Sequence, residues 1–223
     1  MTDDGRPIRS SRAVDRLINF SDAVVAVAVT LLALPLIDIM PANGESVWAT
    51  IGDNIGPVIA FLFTFLVVAM MWSAHNRILN GIRDFDGALF WLNTGWLAMV
   101  VLLPWFSAMF GESQMVGDGD KWPGVGALYW GTLGAISLLG WCMSWHLSRH
   151  PELLDDEEAS SRTLGSARRG VIFGLYFLFI GLVSEFAPDL ASWLPLGIIP
   201  LSIWLRPMRG SLPTEARHPK EQS

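Results

Sequence analysis

Residues 16–37 read RLINFSDAVVAVAVTLLALPLI. Beyond Phe20-Ser21-Asp22 the run is apolar as far as Ile37, broken only by Thr30 and Pro35. About 22 residues at about 1.5 Å rise cross a hydrocarbon core of about 30 Å, so the stretch reads as a transmembrane helix. Asp22 lies within its first turns, and a carboxylate there needs a partner or water before the segment can settle in lipid. Arg16 is about 120° around the helix from it and about 9 Å along the axis, outside the i,i+3 and i,i+4 pairs that touch. The partner of Asp22 is therefore expected on another helix. Val27, Thr30, Leu31 and Leu34 fall at i, i+3, i+4 and i+7 and share one face, with Ala23 a turn earlier. A branched apolar stripe with one hydroxyl suits a tight helix seam or the wall of a hydrophobic pore, and spacing does not choose between them.

The rest of the chain is built to match. Of its 223 residues 52% are hydrophobic, mean hydropathy is +0.41 and there are 11 Trp, too apolar for an ordinary soluble domain. A net charge of −6, with the charges placed in the connections, argues against nucleic-acid binding. Cys142 is the single cysteine, which excludes an intramolecular disulfide and a cysteine-based metal cluster. The arginine-bearing leader 1–15 is expected to be retained, because the apolar run after it is longer than the about 7–15 residues of a signal peptide.

In chain order, a cytoplasmic arm over 1–15 precedes a six-helix membrane domain over 16–206, followed by a polar cytoplasmic tail over 207–223. The spans are expected at 16–37, 56–74, 87–110, 123–147, 170–186 and 190–205. Asp38 to Asn54 reads as a polar connection, and Ala187-Pro188-Asp189 as the link of a tight helical hairpin. Pro35 cannot donate to the carbonyl of Leu31, so the first helix is expected to bend there. With six spans both termini share a side, and every basic residue except Lys121 falls on that side. The positive-inside rule makes it the cytoplasm. Outer acids such as Glu45, Glu112 and Glu185 read as solvated loop charges. Ala127, Gly131 and Ala135, the pair Gly140 and Ser144, and the pair Gly170 and Gly174 mark close helix packing. The tryptophans read as interfacial anchors.

Arg16, Phe20, Ser21 and Asp22, in the pattern Arg-x-x-x-Phe-Ser-Asp followed by AVVAVAVTLLAL, resemble the first helix of the lysosomal and prokaryotic potassium-channel family called transmembrane protein one-seven-five. The resemblance extends through the order of spans over nearly the whole chain. It implies an all-α integral membrane protein with six transmembrane helices per subunit, distinct from the tetrameric potassium-channel fold with a re-entrant filter. It further implies a homotetramer in the plasma membrane of a prokaryote, with potassium as the permeant ion and no cofactor or resident metal. The first helices would surround the axis, Val27, Leu31 and Leu34 would form the apolar constriction, and Thr30 would supply the hydroxyl layer linked to potassium preference. Valine at 27 is smaller than the isoleucine or leucine common in the family, so that ring is expected to be looser. Arg16, Phe20, Ser21 and Asp22 are assigned to a structural polar network with Trp72, His75 and Asn93. A bland reading of Thr30 is a hydroxyl bonded back to the carbonyl of Ala26.

Other classes fare worse. A proton-coupled or cation secondary transporter would want charged residues at mid-membrane and paired broken helices, and the middles of these spans carry no charge. A rhomboid-like protease would need a Gly-x-Ser-Gly nucleophile and an intramembrane histidine, and neither pattern occurs. His146 and His150 stand at i,i+4 but with no third acid or thiol expected nearby, which makes an interfacial role favoured over a metal site.

Overall fold

The structure is a computed structural model that describes residues 8–115, 122–155, 157–191, 193–198 and 200–201. Side chains are described within these over 12–115, 122–155, 168–187, 190–191, 193–198 and 200–201. The described chain is helical throughout, apart from one isolated antiparallel bridge between Ile82 and Leu154. Among the described residues five helical stretches are long and apolar enough to cross a membrane: Arg12–Ile37, Ile55–Leu79, Gly87–Ser113, Val125–Arg149 and Arg168–Phe186. Of the sixth expected span, 190–205, the described part holds the end of a short helix, a 3₁₀ turn at Leu194–Gly197 and helical residues at 198 and 200–201, and 192, 199 and 202–205 lie outside the described residues.

The first span is not continuous. Helix α1 (Ile8–Leu31) ends in a turn at Leu32 and Ala33, and α2 (Leu34–Ile37) resumes on the other side. Pro35 leaves the carbonyl of Leu31 without its helical donor. The chain tightens in response, with the Ala33 N–H bonded to the Thr30 carbonyl at 3.2 Å and the Leu36 N–H to the Ala33 carbonyl at 3.1 Å. The connection read as polar coil contains a short helix, α3 (Val47–Asp53), entered after Gly44 at φ +84°. Helix α4 (Ile55–Leu79) tolerates Pro57 in its first turn, where no helical N–H bond is lost. It also runs past the expected end at Ala74, so His75, Asn76 and Arg77 are helical rather than terminal. Helix α5 (Gly87–Ser113) is capped by Asp86, whose carboxylate accepts from the Leu89 N–H at 2.8 Å. Helix α6 (Val125–Arg149) starts after Gly124 at φ +83°. Helix α7 (Glu157–Phe186) begins well before the expected Gly170, and α8 (Pro188–Ala191) follows it almost directly.

Packing is most extensive between α6 and α7, then between α5 and α6. Trp96, Val100, Leu103, Tyr129, Leu133, Ile136 and Met143 form the centre of the core, all from α5 and α6. Trp96 and Trp130 are therefore core residues and not the interfacial anchors read from sequence. Of the small residues expected to mark close packing, Gly170 and Gly174 on α7 do so, a Cβ there meeting the Ser137 carbonyl at 3.2 Å and Leu138 at 2.7 Å. On α6 the register differs, since a Cβ on Gly131 or Gly140 would meet nothing within 4 Å, whereas one on Gly134 would press Leu178 at 2.9 Å. Glu185 is no mere loop charge, because its carboxylate accepts from the N–H groups of Gly124 (3.2 Å) and Ala127 (3.3 Å) at the start of α6. A cleft of about 1430 Å³ separates α4 from the α6/α7 pair, with Phe63, Ile136 and Phe177 in its walls, and no described α1 residue lines it.

Candidate functional site

Helix α1 meets the bundle by one face only. Val14, Leu17, Ser21, Val25, Ala28 and Leu32 are buried, mainly against α5. The opposite face carries Val27 (58% exposed) and Leu31 (39%), with Thr30 exposed between them, and Leu34 (52%) follows on α2 beyond the break. Over an apolar 18-residue stretch, 22% of the first span is buried, as in α7, against 39% for α5 and for α6, so most of α1 is left to meet lipid or another subunit. The Thr30 hydroxyl donates to the carbonyl of Val27 at 2.7 Å, one residue short of the Ala26 carbonyl expected from sequence. With its proton donated on the helix itself, the oxygen of this exposed hydroxyl is left to accept.

The buried face is fixed by polar groups. Trp72 donates its indole N–H to Asp22 Oδ1 at 2.8 Å, which supplies the partner from another helix. One turn on along α4, His75 Nε2 meets Asn93 Oδ1 at 2.8 Å, and Asn93 Nδ2 donates to Ser21 Oγ at 3.0 Å. Ser21 passes its own proton to the Leu17 carbonyl at 2.8 Å. Because the Asn93 amide oxygen can only accept, His75 donates from Nε2, and the directions close without conflict from α4 through α5 to α1. Ser21, His75 and Asn93 are each 2% exposed or less. The His75 ring stacks on Trp96, centroids 3.8 Å apart and planes within 16°. Trp96 was missed in the sequence, although its i,i+3 spacing from Asn93 on α5 was a usable signal.

Two residues assigned to this network stand apart from it. Phe20 is 61% exposed, and Arg16 is exposed with no hydrogen bond or ion pair to Asp22 among the described residues. Both lie on the same outward side of α1 as Val27 and Leu31. The geometric reason is the helical offset between Arg16 and Asp22.

A second polar cluster had no sequence signal. Thr64 on α4 lies 2.9 Å from Ser107 on α5 and 2.6 Å from the Tyr129 hydroxyl on α6, and donates to the Ala60 carbonyl at 2.6 Å. It sits near a close approach of α4 and α5, where a Cβ on Gly111 would meet Pro57 Cα at 2.9 Å. His146 and His150 also differ from expectation, since an acid is near each. Asp86 Oδ2 lies 2.8 Å from His146 Nε2, and Glu152 Oε1 lies 2.9 Å from His150 Nδ1. Among the described residues no group of three or more His, Cys, Asp or Glu side chains is arranged to hold a metal ion.

Comparison with known proteins bears on this arrangement. The family described as endosomal/lysosomal potassium channel TMEM175 matches residues 16–104. A potassium channel of Streptomyces collinus is 30% identical over 78% of this chain and 84% of its own length. The endosomal/lysosomal proton channel TMEM175 of Gallus gallus is 26% identical over 85% of this chain and 38% of its own length. In fold, the chain is similar to the crystal structure of a lysosomal potassium-selective channel TMEM175 homologue from Chamaesiphon minutus. That likeness has a TM-score of 0.70, 20% identity, and covers 88% of this chain and 100% of the other.

Proposed function

This chain belongs to the TMEM175 family of potassium channels, and from that premise we propose that it conducts potassium passively through a pore lined by α1. It is a multi-pass membrane protein and a potassium channel rather than an enzyme. The observation that carries the pore assignment is the two-sidedness of α1. One face is pinned into the subunit by the buried Asn93–Ser21 bond and the exposed Trp72–Asp22 bond, and the other presents Val27, Thr30 and Leu31 outward, with Leu34 following on α2.

In this reading four subunits place their α1 helices around an axis. Val27, Leu31 and Leu34 narrow the pore and exclude water when closed, and Thr30 contributes a ring of hydroxyl oxygens. The Thr30 proton is already committed to the Val27 carbonyl, so the oxygens are free to face a partly dehydrated potassium ion. The break at Leu32–Ala33 falls between the Leu31 and Leu34 rings of the constriction and lets α2 diverge from α1 to widen the mouth. Selectivity is moderate, because no sequence resembling a backbone-carbonyl filter is present. The termini face the cytoplasm of a prokaryotic plasma membrane, following the basic residues. Potassium and membrane lipid are the partners, and no cofactor takes part.

Ion flux in liposomes tests this. Wild-type protein is expected to pass potassium in preference to sodium, with larger flux in Leu31→Ala and weaker preference in Thr30→Ala. Unchanged flux and selectivity in both variants would move the pore away from α1, and absence of flux from a verified tetramer would overturn the channel itself. Asp22→Ala is expected to lower the yield of assembled, conducting protein by freeing Trp72 and loosening α1.

A further inference from the structure

At the end of the bundle opposite α3, two connections are joined to each other. The Arg83 N–H bonds the Leu153 carbonyl at 2.9 Å and the Asp155 N–H bonds the Gly81 carbonyl at 3.0 Å, which forms the Ile82–Leu154 bridge. Ile82 and Leu154 are each 4% exposed. Arg83 Nε also donates to the Glu152 carbonyl at 2.7 Å. These bonds tie the α4–α5 corner to the α6–α7 corner. The helix that supports α1 is thereby tied to the peripheral pair.

Beside this bridge, Asp86 holds two elements at once. Its Oδ1 accepts the Leu89 N–H and caps α5, and its Oδ2 contacts His146 in the last turn of α6 at 2.8 Å. The His146 ring lies 4.5 Å from that of His150, which in turn meets Glu152. Charged groups around the pair are therefore Asp86 from α5, His150 and Glu152 beyond α6, and Arg83 from the α4–α5 corner. Arg149 is drawn aside, its guanidinium 4.0 Å over the Trp145 ring. On α7 the described charged side chains begin at Arg168.

We propose that Asp86 and His146 form a proton-operated latch on the cytoplasmic face, which tightens when the cytoplasm acidifies and holds α5 and α6 together. Histidine is the side chain whose charge changes in the physiological range. The bond from a neutral ring to the Asp86 carboxylate is already charge-assisted, and a proton on the ring adds the attraction of opposite charges to it. Asn93, which grips Ser21, lies two turns beyond Asp86 on the same helix. A tighter latch restrains α5, restrains α1 through Asn93, and so opposes widening of the constriction. The consequence for current rests on the channel reading given above, but the latch itself does not.

Hydrogen exchange on the full chain in nanodiscs tests the latch without reference to flux. With intrinsic rates corrected, protection of 80–86 and 150–155 is expected to be about threefold greater at about pH 6 than at about pH 8. His146→Gln and Asp86→Asn are expected to abolish that difference, while His150→Gln retains most of it. Equal protection at both values in wild type, or a difference that survives His146→Gln, would overturn the proposal. In liposomes, acid on the cytoplasmic side should lower potassium flux in wild type and not in His146→Gln. Flux absent from every variant, with the exchange difference intact, would refute the channel reading and leave the latch standing.

Discussion

The Asn93 cluster and the Thr64 cluster are both small groups of buried side chains that join three helices, yet they have unequal leverage. Asn93, His75 and Ser21 connect α1, α4 and α5, and Asp22 with Trp72 adds a charged contact beside them. Thr64, Ser107 and Tyr129 connect α4, α5 and α6 through hydroxyls alone. In the second case the same helices also share the Phe110, Tyr129 and Trp130 ring stack and the surrounding apolar core. In the first, α1 is buried over only 22% of its span, so polar bonds make up a larger part of its hold on the subunit. Similar chemistry thus anchors in one place and merely reinforces in the other.

Removing Asn93 is the strongest way to break this contrast. Asn93→Ala leaves His75 Nε2 buried without its acceptor and takes a donor from Ser21. An unsatisfied buried group costs about 1–3 kcal/mol, and with the lost packing the expected destabilisation is about 2–3 kcal/mol. Thermal unfolding in detergent measures it. The same variant is expected to lose assembled protein disproportionately, since α1 is the element released. A loss below that of Tyr129→Phe would reverse the ranking of the two clusters.

A second substitution asks whether α4 and α5 are held by hydroxyls or by their close approach. A Cβ at Gly111 would stand 2.9 Å from Pro57 Cα and 3.1 Å from Ala60 Cβ, and backbone cannot swing aside as a side chain can. Gly111→Ala is expected to destabilise by about 1–3 kcal/mol, as overpacking does. Tyr129→Phe should do far less, on the order of 0.6 kcal/mol, because Thr64 keeps Ser107 and the Ala60 carbonyl. If Tyr129→Phe equalled Gly111→Ala, the hydroxyl cluster would be an anchor in its own right.

The unequal visibility of the two clusters in the sequence has a physical cause. Asp22 inside an apolar run is conspicuous because lipid penalises charge, and it points at once to a partner on another helix. Thr64, Ser107 and Tyr129 are single hydroxyl-bearing residues in separate spans, and any buried threonine or serine can satisfy itself on its own helix. Nothing in their spacing reports that they converge. Five of the six expected spans match helices long and apolar enough to cross a membrane among the described residues, whereas their ends were not readable from hydropathy. Helix α7 extends back to Glu157 through EEASSRTLGSARR, a stretch with good helix formers but no apolar face to mark it. The register of the α6/α7 seam was likewise hidden, since glycines occur around α6 and only packing selects Gly134 over Gly131.

The smallest expected effect concerns the one carboxylate that serves both as a helix cap and as an interhelical contact. The Leu89 N–H, and behind it His146, hold the Asp86 carboxyl below the usual aspartate range. A depressed value in the folded state means that Asp86 adds stability above its unfolded value, and that this increment disappears as pH falls through the folded one. Asp86→Asn keeps a good cap, since asparagine caps about as well as aspartate, but it has no charge to lose. Melting temperatures from about pH 6 to about pH 3 should therefore fall more steeply in wild type than in the variant. The Asp86 side chain is 39% exposed, so solvent screening keeps the difference well under about 1 kcal/mol. Parallel acid limbs would mean that neither the Leu89 N–H nor His146 favours the ionised form of Asp86. A steeper wild-type limb would set the acid end of the latch where Asp86 gains its proton and its contact with His146 loses the carboxylate charge.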